Sequence, residues 1–294
     1  MSIRFHMDEV RDRVFGVEEI ATLPPALASI LSVTKDPHST AMDLAEEIGK
    51  DPALAAKVLK TVNSSFYGFG RRIQTVNDAV VLLGYIEVER LALAITVINL
   101  FGGDWKQARF LSQLWRHSLA ASIAADLVGK ASKAQTTDIA GAHVAGLLHD
   151  IGKAVLSQSM PDVFPVIIEL VERNGYDPLT AEQEVLDGVD HSEIGGWIAN
   201  NWSLPPSIVE SIRTHHNPDK ATSGRILPHI THLANAICHS IDVPSMVIES
   251  PTAAQIGSPD SWALLGLDDS IIDHTLQRIE NQRDFIGAMS ARTA

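Results

Sequence analysis

Apolar residues recur at intervals of three and four along most of the chain, the spacing that places them on one face of an α-helix. Residues typical of helix ends bound these stretches. Thr40 and Asp43 have the spacing of a capping box, and Asp51 and Pro52 have the residue types of an N-cap and a first helical position. Convincing strand alternation of apolar and polar residues is absent. The pattern therefore predicts an all-α fold.

Each predicted helix is an apolar-periodic stretch between such boundaries. In chain order, the predicted helices lie near 25–31, 41–49, 52–62, 76–83, 88–100, 105–128, 140–157, 163–174, 181–187, 192–201, 205–216, 227–241 and beyond 269. Two loops are predicted where Gly, Pro, Asn and Ser cluster, at 63–70 and in the region of Pro244, Pro251, Gly257 and Pro259.

A glycine pair, Gly102 and Gly103, divides the chain into two predicted helical units. The first is an N-terminal helical half over residues 1–103, and the second is a helical core with a C-terminal helix over residues 104–294. The chain has 294 residues, of which 45% are hydrophobic and 20% charged. This composition is globular and supplies enough apolar material to bury a core in each unit.

The charge balance argues against nucleic acid as the main partner. The formal net charge is -13, whereas a protein that binds a nucleic-acid backbone needs a basic face. The two short predicted helices over 42–63 do fit a helix-turn-helix pattern. However, the second of them offers only Lys57 and Lys60, and any tight helical hairpin has the same pattern.

Cysteine content and the N-terminal stretch indicate a reducing, soluble setting. Cys238 is the single cysteine, which excludes an intrachain disulfide and a Cys-based zinc site. Residues 1–19 are charged and lack the apolar segment of a signal peptide, and no apolar run reaches membrane-spanning length. We therefore expect a cytoplasmic protein without a membrane partner.

A His-Asp pair lies within residues 146–153, Gly-Leu-Leu-His-Asp-Ile-Gly-Lys, at the end of an apolar helical run. Adjacent helical residues point about 100° apart, so His149 and Asp150 can reach one point only if it lies between their directions. A metal ion between helices meets that condition. Imidazole and carboxylate groups are the ligands of catalytic zinc, iron and manganese sites. Further candidate ligands lie on separate predicted helices: His117, His191, His215 and His216.

The same residues suggest a reaction type. A carboxylate such as Asp150 can bridge two ions roughly 3.5–4 Å apart, and such a pair activates water and clamps the oxygens of a phosphoryl displacement. Lys153, one turn after His149, has the charge to neutralise a phosphate oxygen. Asp150 and Lys153 are therefore the predicted catalytic residues.

Each of these residues also has an ordinary structural interpretation. A single histidine is more often a surface or satisfied core residue than a ligand. His143 lies six residues before His149, well round the helix, and we assign it to the core. Lys153 by itself also fits a cation that complements a helix C-terminus.

Several further motifs occur in a fixed order along the chain. They are Leu-Pro-Pro at 23–25, Asn-Ser-Ser-Phe-Tyr-Gly at 63–68, Ala79 with Leu-Gly at 83–84, the stretch 146–153, His-Ser-Glu-Ile-Gly at 191–195, Trp-Ser-Leu-Pro at 202–205 and His-His-Asn-Pro at 215–218. This ordered combination covers about residues 17–240. It resembles the HDOD family, bacterial signalling relatives of the HD and HD-GYP metal-dependent phosphohydrolases.

The resemblance implies an N-terminal helical subdomain packed on an HD-like helical core. It also implies a centre for divalent metal ions, dinuclear in related enzymes, with iron, manganese, zinc and nickel as candidate metals. The implied ligands are His117, His149, Asp150, His191, His215, His216 and, at the last ligand position, Asn235. Lys153 matches a residue placed near substrate phosphate.

Two departures from the related enzymes bear on activity. The last ligand of an HD site is normally an Asp, whereas this chain has Asn235, whose amide oxygen is a weaker, neutral donor. His232 and His239 share a helical face with Asn235 and are alternative donors. The Gly-Tyr-Pro motif that accompanies cyclic-di-GMP hydrolysis in HD-GYP proteins is also absent after His216, so that substrate is not carried over.

Two functions follow as expectations. The first is a signal-transduction or regulatory module with a metal-binding His/Asp site, weak or no hydrolase activity, and a signalling protein or small phosphorylated ligand as partner. The alternative is an active metal-dependent phosphohydrolase that acts on a nucleotide or phosphate ester. The missing carboxylate at Asn235 favours the first.

Overall fold

A computed structural model describes residues 5–36, 38–64, 67, 69, 72–101, 105–240, 256–283 and 286–287. Within these residues the chain forms α-helices, one short 3-10 helix and no strand. The predicted all-α class is therefore confirmed. Half of the predicted loop at 63–70, the Gly102–Gly103 boundary, and Pro244 and Pro251 lie outside the described residues.

The helices of the first part begin and end largely where the local sequence predicts. They are α1 (Met7–Gly16), α2 (Glu18–Ala21), α3 (Pro25–Lys35), α4 (Ala41–Gly49), α5 (Pro52–Val62), α6 (Val76–Leu83) and α7 (Tyr85–Leu100). The Thr40 and Asp43 capping box forms at α4, and the Asp51 carboxylate accepts two backbone N–H bonds at the start of α5. These caps satisfy backbone donors that have no partner within the helix.

The second part consists of longer and more buried helices around a central one. They are α8 (Trp105–Ala131), α9 (Thr136–Ile139), α10 (Ala142–Leu148), α11 (Ile151–Ser159), α12 (Phe164–Asn174), α13 (Pro178–Val185), α14 (His191–Asn201), α15 (Pro206–Thr214), the 3-10 turn Pro218–Lys220, α16 (Ile226–Ser240), α17 (Pro259–Leu265) and α18 (Ser270–Asn281). Helix α8 packs along α10, α16 and α18, while α14 packs between α11 and α15. Local pattern missed the short helices α9 and α17, along with α1 and α2.

Helix α7 joins the two parts. Helices α3, α5 and α6 pack on it from the first part, and α8 and α10 contact it from the second. Its residues are buried almost all round, including Glu89, whose carboxylate lies 3.2 Å from Nε2 of His143 on α10. This contact agrees with the assignment of His143 to the core.

The first two helices contact the second part of the chain. The indole N–H of Trp202 donates to the carbonyl oxygen of Ile20 at 3.0 Å, and Arg13 pairs with Asp162 at 2.8 Å. The division at residue 103 stays a prediction, because helices α1 and α2, which precede it, pack against helices that follow it.

The helical hairpin of α4 and α5 forms as predicted, but its second helix, α5, packs against the rest of the protein. Leu54, Val58 and Val62 are buried, and Lys57 Nζ donates to Asn99 Oδ1 on α7 at 2.9 Å. The amine that a helix-turn-helix would offer to a phosphate is thus bonded within the protein.

No single described helix is both long enough and apolar enough to cross a membrane. Two pairs of consecutive helices reach that length and apolarity when each pair is taken together, but both pairs are sharply bent.

The predicted helix over 140–157 is wrong in one important respect, because the chain breaks at the His-Asp pair. Helix α10 ends at Leu148, His149 follows it, and Asp150 has φ -99° and ψ 11° before α11 begins at Ile151. Lys153 therefore lies in the first turn of α11, and the helix C-terminus interpretation of this residue is also wrong. The break turns the Asp150 carboxylate away from the direction that one continuous helix would impose.

Two glycines of the 146–153 stretch are required by close helix approach. A Cβ at Gly152 would overlap the backbone carbonyl oxygen of His191, and a Cβ at Gly146 would lie 2.5 Å from that of Ala121. Since backbone atoms cannot move aside as side chains do, α14 approaches α11 this closely only with glycine at 152. The contact brings His191 next to Asp150.

We expect Gly152→Ala to lower the free energy of unfolding by about 3 kcal/mol or more, because the added methyl group overpacks against backbone. Chemical denaturation of the purified protein measures this. Gly49→Ala is the matched control, since nothing lies within 4 Å of a Cβ there, and its stability should stay unchanged or rise slightly. Equal effects of the two substitutions would contradict the close-approach argument.

Candidate metal centre

Five elements of the second part deliver the candidate side chains to one buried region. His117 projects from the middle of α8, while His149 and Asp150 occupy the break between α10 and α11. His191 is the first residue of α14, and His215 and His216 directly follow α15. All of them except the partly open His216 are almost completely buried.

One group of ligand atoms consists of His117, His149 and Asp150, whose nearest nitrogen and oxygen atoms all lie within 4.8 Å of one another. Nε2 of His117 is 3.2 Å from Nε2 of His149. Asp150 Oδ2 lies 3.8 Å from the first of these nitrogens and 3.5 Å from the second. Three donors that converge in this way match the ligand types of a divalent metal site.

A second group consists of His191, His215 and His216. Nε2 of His216 is 2.9 Å from Nε2 of His191. The other carboxylate oxygen of Asp150, Oδ1, lies 3.2 Å from His191 Nε2 and 3.7 Å from His215 Nε2. Asp150 thus faces the two groups with its two different oxygens.

Hydrogen bonds on the far ring nitrogens orient three of the imidazoles. The Nδ1 atoms of His149 and His215 lie 2.9 Å and 2.7 Å from the carbonyl oxygens of Gly146 and Ile212, to which they donate. Nδ1 of His191 lies 2.7 Å from Glu182 Oε2, which also accepts the backbone N–H of His191. Each bond directs Nε2 to the centre of the cluster, the arrangement found around metal-bound histidines.

Burial keeps most of these rings neutral. The pKa of His149 is lowered by desolvation, and the pKa values of His215 and His216 fall well below the usual range because burial is reinforced by neighbouring histidines. Neutral imidazole is the form that binds metal.

His191 and Asp150 carry charge instead. Burial opposes protonation of His191, but the adjacent Glu182 carboxylate outweighs it and raises the pKa of His191 to about 10. Burial likewise opposes ionisation of Asp150, yet the Lys153 cation and the charged His191, which also donates a hydrogen bond to it, hold the pKa of Asp150 well below the usual value. The site therefore contains buried acidic and basic partners, and ligation of a metal by His191 Nε2 displaces a proton.

Lys153 is placed against the cluster from the first turn of α11. It is 2% exposed, and its Nζ lies 3.1 Å from Asp150 Oδ2. Its charge compensates the buried carboxylate of Asp150.

The environment of one ring nitrogen, His215 Nε2, tests whether these residues fit a metal ion. Nε2 of His215 is completely buried and has no hydrogen-bond partner within the described parts of the chain. With Nδ1 donating to Ile212, Nε2 holds an unpaired lone pair in a dry environment, which is unfavourable unless a ligand meets it. Buried groups of His and Asp in this arrangement can bind a metal.

Residues 20–218 match the protein-family model of the HDOD domain. The chain belongs to the HDOD family. Its fold resembles that of a proposed phosphohydrolase of Shewanella amazonensis SB2B, with a TM-score of 0.69, 25% identity, and coverage of 96% of this chain and 98% of that one. The resemblance suggested by the ordered motifs is therefore confirmed.

Two longer proteins are also similar to this HDOD chain. A proposed signal transduction protein of Marinobacter aquaeolei VT8 shares the fold, with a TM-score of 0.76 and 24% identity over 92% of this chain. An uncharacterized protein of Treponema pallidum (strain Nichols) is 25% identical over 79% of it. The chain spans 59% of the Marinobacter protein and 42% of the Treponema protein.

Asn235, the predicted last ligand, is buried on α16. Its Oδ1 has no hydrogen-bond partner among the residues described. One of the two alternative donors does not fit. Nδ1 of His232 donates to the carbonyl oxygen of His215 at 2.7 Å, and its Nε2 accepts from Ser258 N–H at 3.0 Å, so both nitrogens are occupied. The ring of His239 stacks on that of His117, with centroids 4.9 Å apart.

Glu182 is the site residue that sequence reasoning missed. It lies nine residues before His191 in the chain, and no motif marks it. The one sequence signal for its role is its position beside Ala181 and Val185 on the buried face of α13. A carboxylate buried there needs a hydrogen-bond or charged partner.

We expect Glu182→Ala to weaken binding of a divalent metal by about 10–100-fold, since the substitution removes the acceptor that orients His191. Competition with a chromogenic chelator measures the affinity. Glu172→Ala, an exposed carboxylate on α12, is the control and should bind as the parent protein does. Unchanged affinity in the Glu182 variant would show that the orientation of His191 does not matter for metal.

Proposed function

We propose that this HDOD protein is a signalling or regulatory module whose His/Asp cluster binds two divalent ions and hydrolyses phosphate esters weakly or not at all. The geometry of Asp150 carries the proposal. Its Oδ2 faces His117 and His149, and its Oδ1 faces His191 and His215. A carboxylate that addresses two ligand groups is suited to bridge two ions.

The proposed ligand sets follow from these two groups. His117, His149, Asp150 and the Asn235 amide would hold the first ion, and His191, His215, His216 and Asp150 the second. Both sets consist of nitrogen and oxygen donors, which suit iron, manganese, zinc and nickel alike. The unpartnered His215 Nε2 supports occupation by a metal.

Asn235 is the reason to expect little turnover. An amide adds no negative charge to the first set, so it stabilises a cation less than the aspartate of related HD sites. A divalent pair supplies Lewis acidity toward a phosphoryl group. The chain's own contribution is positional: Lys153 offers a buried positive charge beside Asp150, and His216 lies at the side of the site that is open to solvent.

An active phosphohydrolase is the second candidate. Lys153 favours it, because a buried ammonium group at a two-ion site is suited to a substrate phosphate. The similarity to the Shewanella protein described as a proposed phosphohydrolase points the same way. A nucleotide or a simple phosphate ester is the expected substrate class.

The partner of the module is proposed to be a signalling protein or a small phosphorylated ligand. Support comes from the similar Marinobacter protein, which is described as a proposed signal transduction protein. Because this chain spans only 59% of that protein, whatever the remaining part does is not assigned to this chain.

Elemental analysis of the purified protein tests the metal proposal. We expect iron, manganese, zinc or nickel at up to about two ions per chain, and at least about tenfold weaker binding in Asp150→Asn, which keeps the shape but loses the charge. His274→Gln, an exposed histidine on α18, controls for adventitious binding and should retain the metal. Fewer than two bound ions per chain after separate loading of the parent protein with iron, manganese, zinc and nickel would end the dinuclear proposal.

Hydrolysis of nitrophenyl phosphate esters and cyclic nucleotides by the metal-loaded protein separates the two functions. We expect weak or no turnover in the parent protein and a gain of about tenfold or more in Asn235→Asp, because the added carboxylate restores a charged ligand. Robust turnover in the parent protein that Asp150→Asn abolishes would favour the enzyme instead.

A further inference from the structure

The turn before α17 lies close against α16. Gly257 in this turn has φ 67°, a left-handed conformation that favours glycine, and a Cβ there would lie 2.9 Å from Cδ1 of Leu233 on α16. The indole N–H of Trp262 donates to the carbonyl oxygen of Ile256 at 2.6 Å, which closes the turn from the side of α17. The backbone around residue 257 is therefore fixed relative to α16.

The same turn directs a backbone donor to an imidazole ring on α16. The N–H of Ser258 donates to Nε2 of His232 at 3.0 Å. Because a backbone N–H can only donate, Nε2 must be the unprotonated nitrogen of the ring. The single ring proton therefore lies on Nδ1, and the turn fixes both the tautomer and the orientation of His232.

The protonated nitrogen of His232 is directed to the candidate metal centre. Its Nδ1 donates to the backbone carbonyl oxygen of His215 at 2.7 Å. His215 directly follows Thr214, the last residue of α15, and the last carbonyl oxygens of a helix have no partner within it. The ring of His232 thus satisfies a helix-end acceptor and holds the backbone of a candidate ligand.

The position of His215 matters because its Nε2 is the buried nitrogen that has no hydrogen-bond partner among the described residues. This atom lies 3.7 Å from Asp150 Oδ1, and Nδ1 of the same ring donates to the carbonyl oxygen of Ile212. Since a zinc–nitrogen bond is only about 2.0–2.1 Å long, a small shift of the His215 backbone changes how well Nε2 reaches an ion.

We propose that His232 is a positioning residue of the metal centre, which connects the turn before α17 to His215 and so keeps this ligand in place for a divalent ion. The inference rests on the proposed function, since it requires that His215 binds metal. His232 acts without touching the ion, because both of its ring nitrogens are engaged. His232 and the turn both lie beyond residues 20–218, which match the family model.

Competition with a chromogenic chelator tests the proposal on the full chain, with zinc, nickel, manganese and iron as separate probes. A Gln side chain places its amide near Nε2 of the ring that it replaces, and an Asn side chain places its amide near Nδ1. His232→Gln keeps an acceptor for Ser258 but loses the donor to His215, so we expect at least about tenfold weaker metal binding. His232→Asn keeps that donor, so we expect it to retain most of the affinity.

His229→Gln is the matched control on the same helix. Nδ1 of His229 lies 2.9 Å from Ser261 Oγ, so this histidine also joins α16 to α17, but Ser261 is not a candidate ligand. We expect a lower melting temperature in both Gln variants, because each loses a contact between the two helices. Metal affinity should fall only in His232→Gln.

Equal losses of metal affinity in His229→Gln and His232→Gln would overturn the proposal, because general loosening of α17 would then explain both. Equal affinities of His232→Gln and His232→Asn would also overturn it. Metal binding by the parent protein that His232→Gln leaves unchanged would overturn this inference alone. Failure of the parent protein to bind any of the four metals would overturn the proposed function, and this inference with it.

Discussion

The burial of one carboxylate constrains the second part of this molecule more than any other interaction. Asp150 is 1% exposed, and an isolated charge in such a place costs several kcal/mol unless partners compensate it. The compensation comes from Lys153 on α11 and from the charged imidazole of His191 on α14, so these two helices must meet at this point. The break between α10 and α11 and the bare backbone of Gly152 are the local features that allow the meeting.

Helix α7 extends this dependence to the first part of the chain. Its Glu89 lies against His143, on the helix that directly precedes His149, and its Arg90 pairs with Asp126 on the helix that carries His117. A buried ion pair such as Arg90 with Asp126 adds little net stability, but removing one partner is costly, so the pair holds the relative placement of the two helices that it joins. The first part of the chain is thereby anchored to the two helices that position the first ligand group.

The HDOD fold and a buried His/Asp cluster are present in this chain. In the function proposed above, Asn235 supplies a neutral amide where the resemblance to HD enzymes implies a carboxylate. Catalysis by bound ions depends on how strongly their charge is held and compensated, so the proposal expects this exchange to lower turnover. His232 does not replace the missing carboxylate, because both of its ring nitrogens are engaged.

The sequence by itself determined the helical class, the starts of helices such as α4 and α5, and the candidate ligands. These depend on short-range physics: a cap needs only the next three residues, and helical periodicity needs only a few turns. Only the tertiary structure decided that the chain breaks at Asp150, that Glu182 orients His191, and that Arg90 pairs with Asp126. Each of these depends on contacts between residues far apart in the chain and on the free energy of burying their charges, neither of which the local sequence pattern contains.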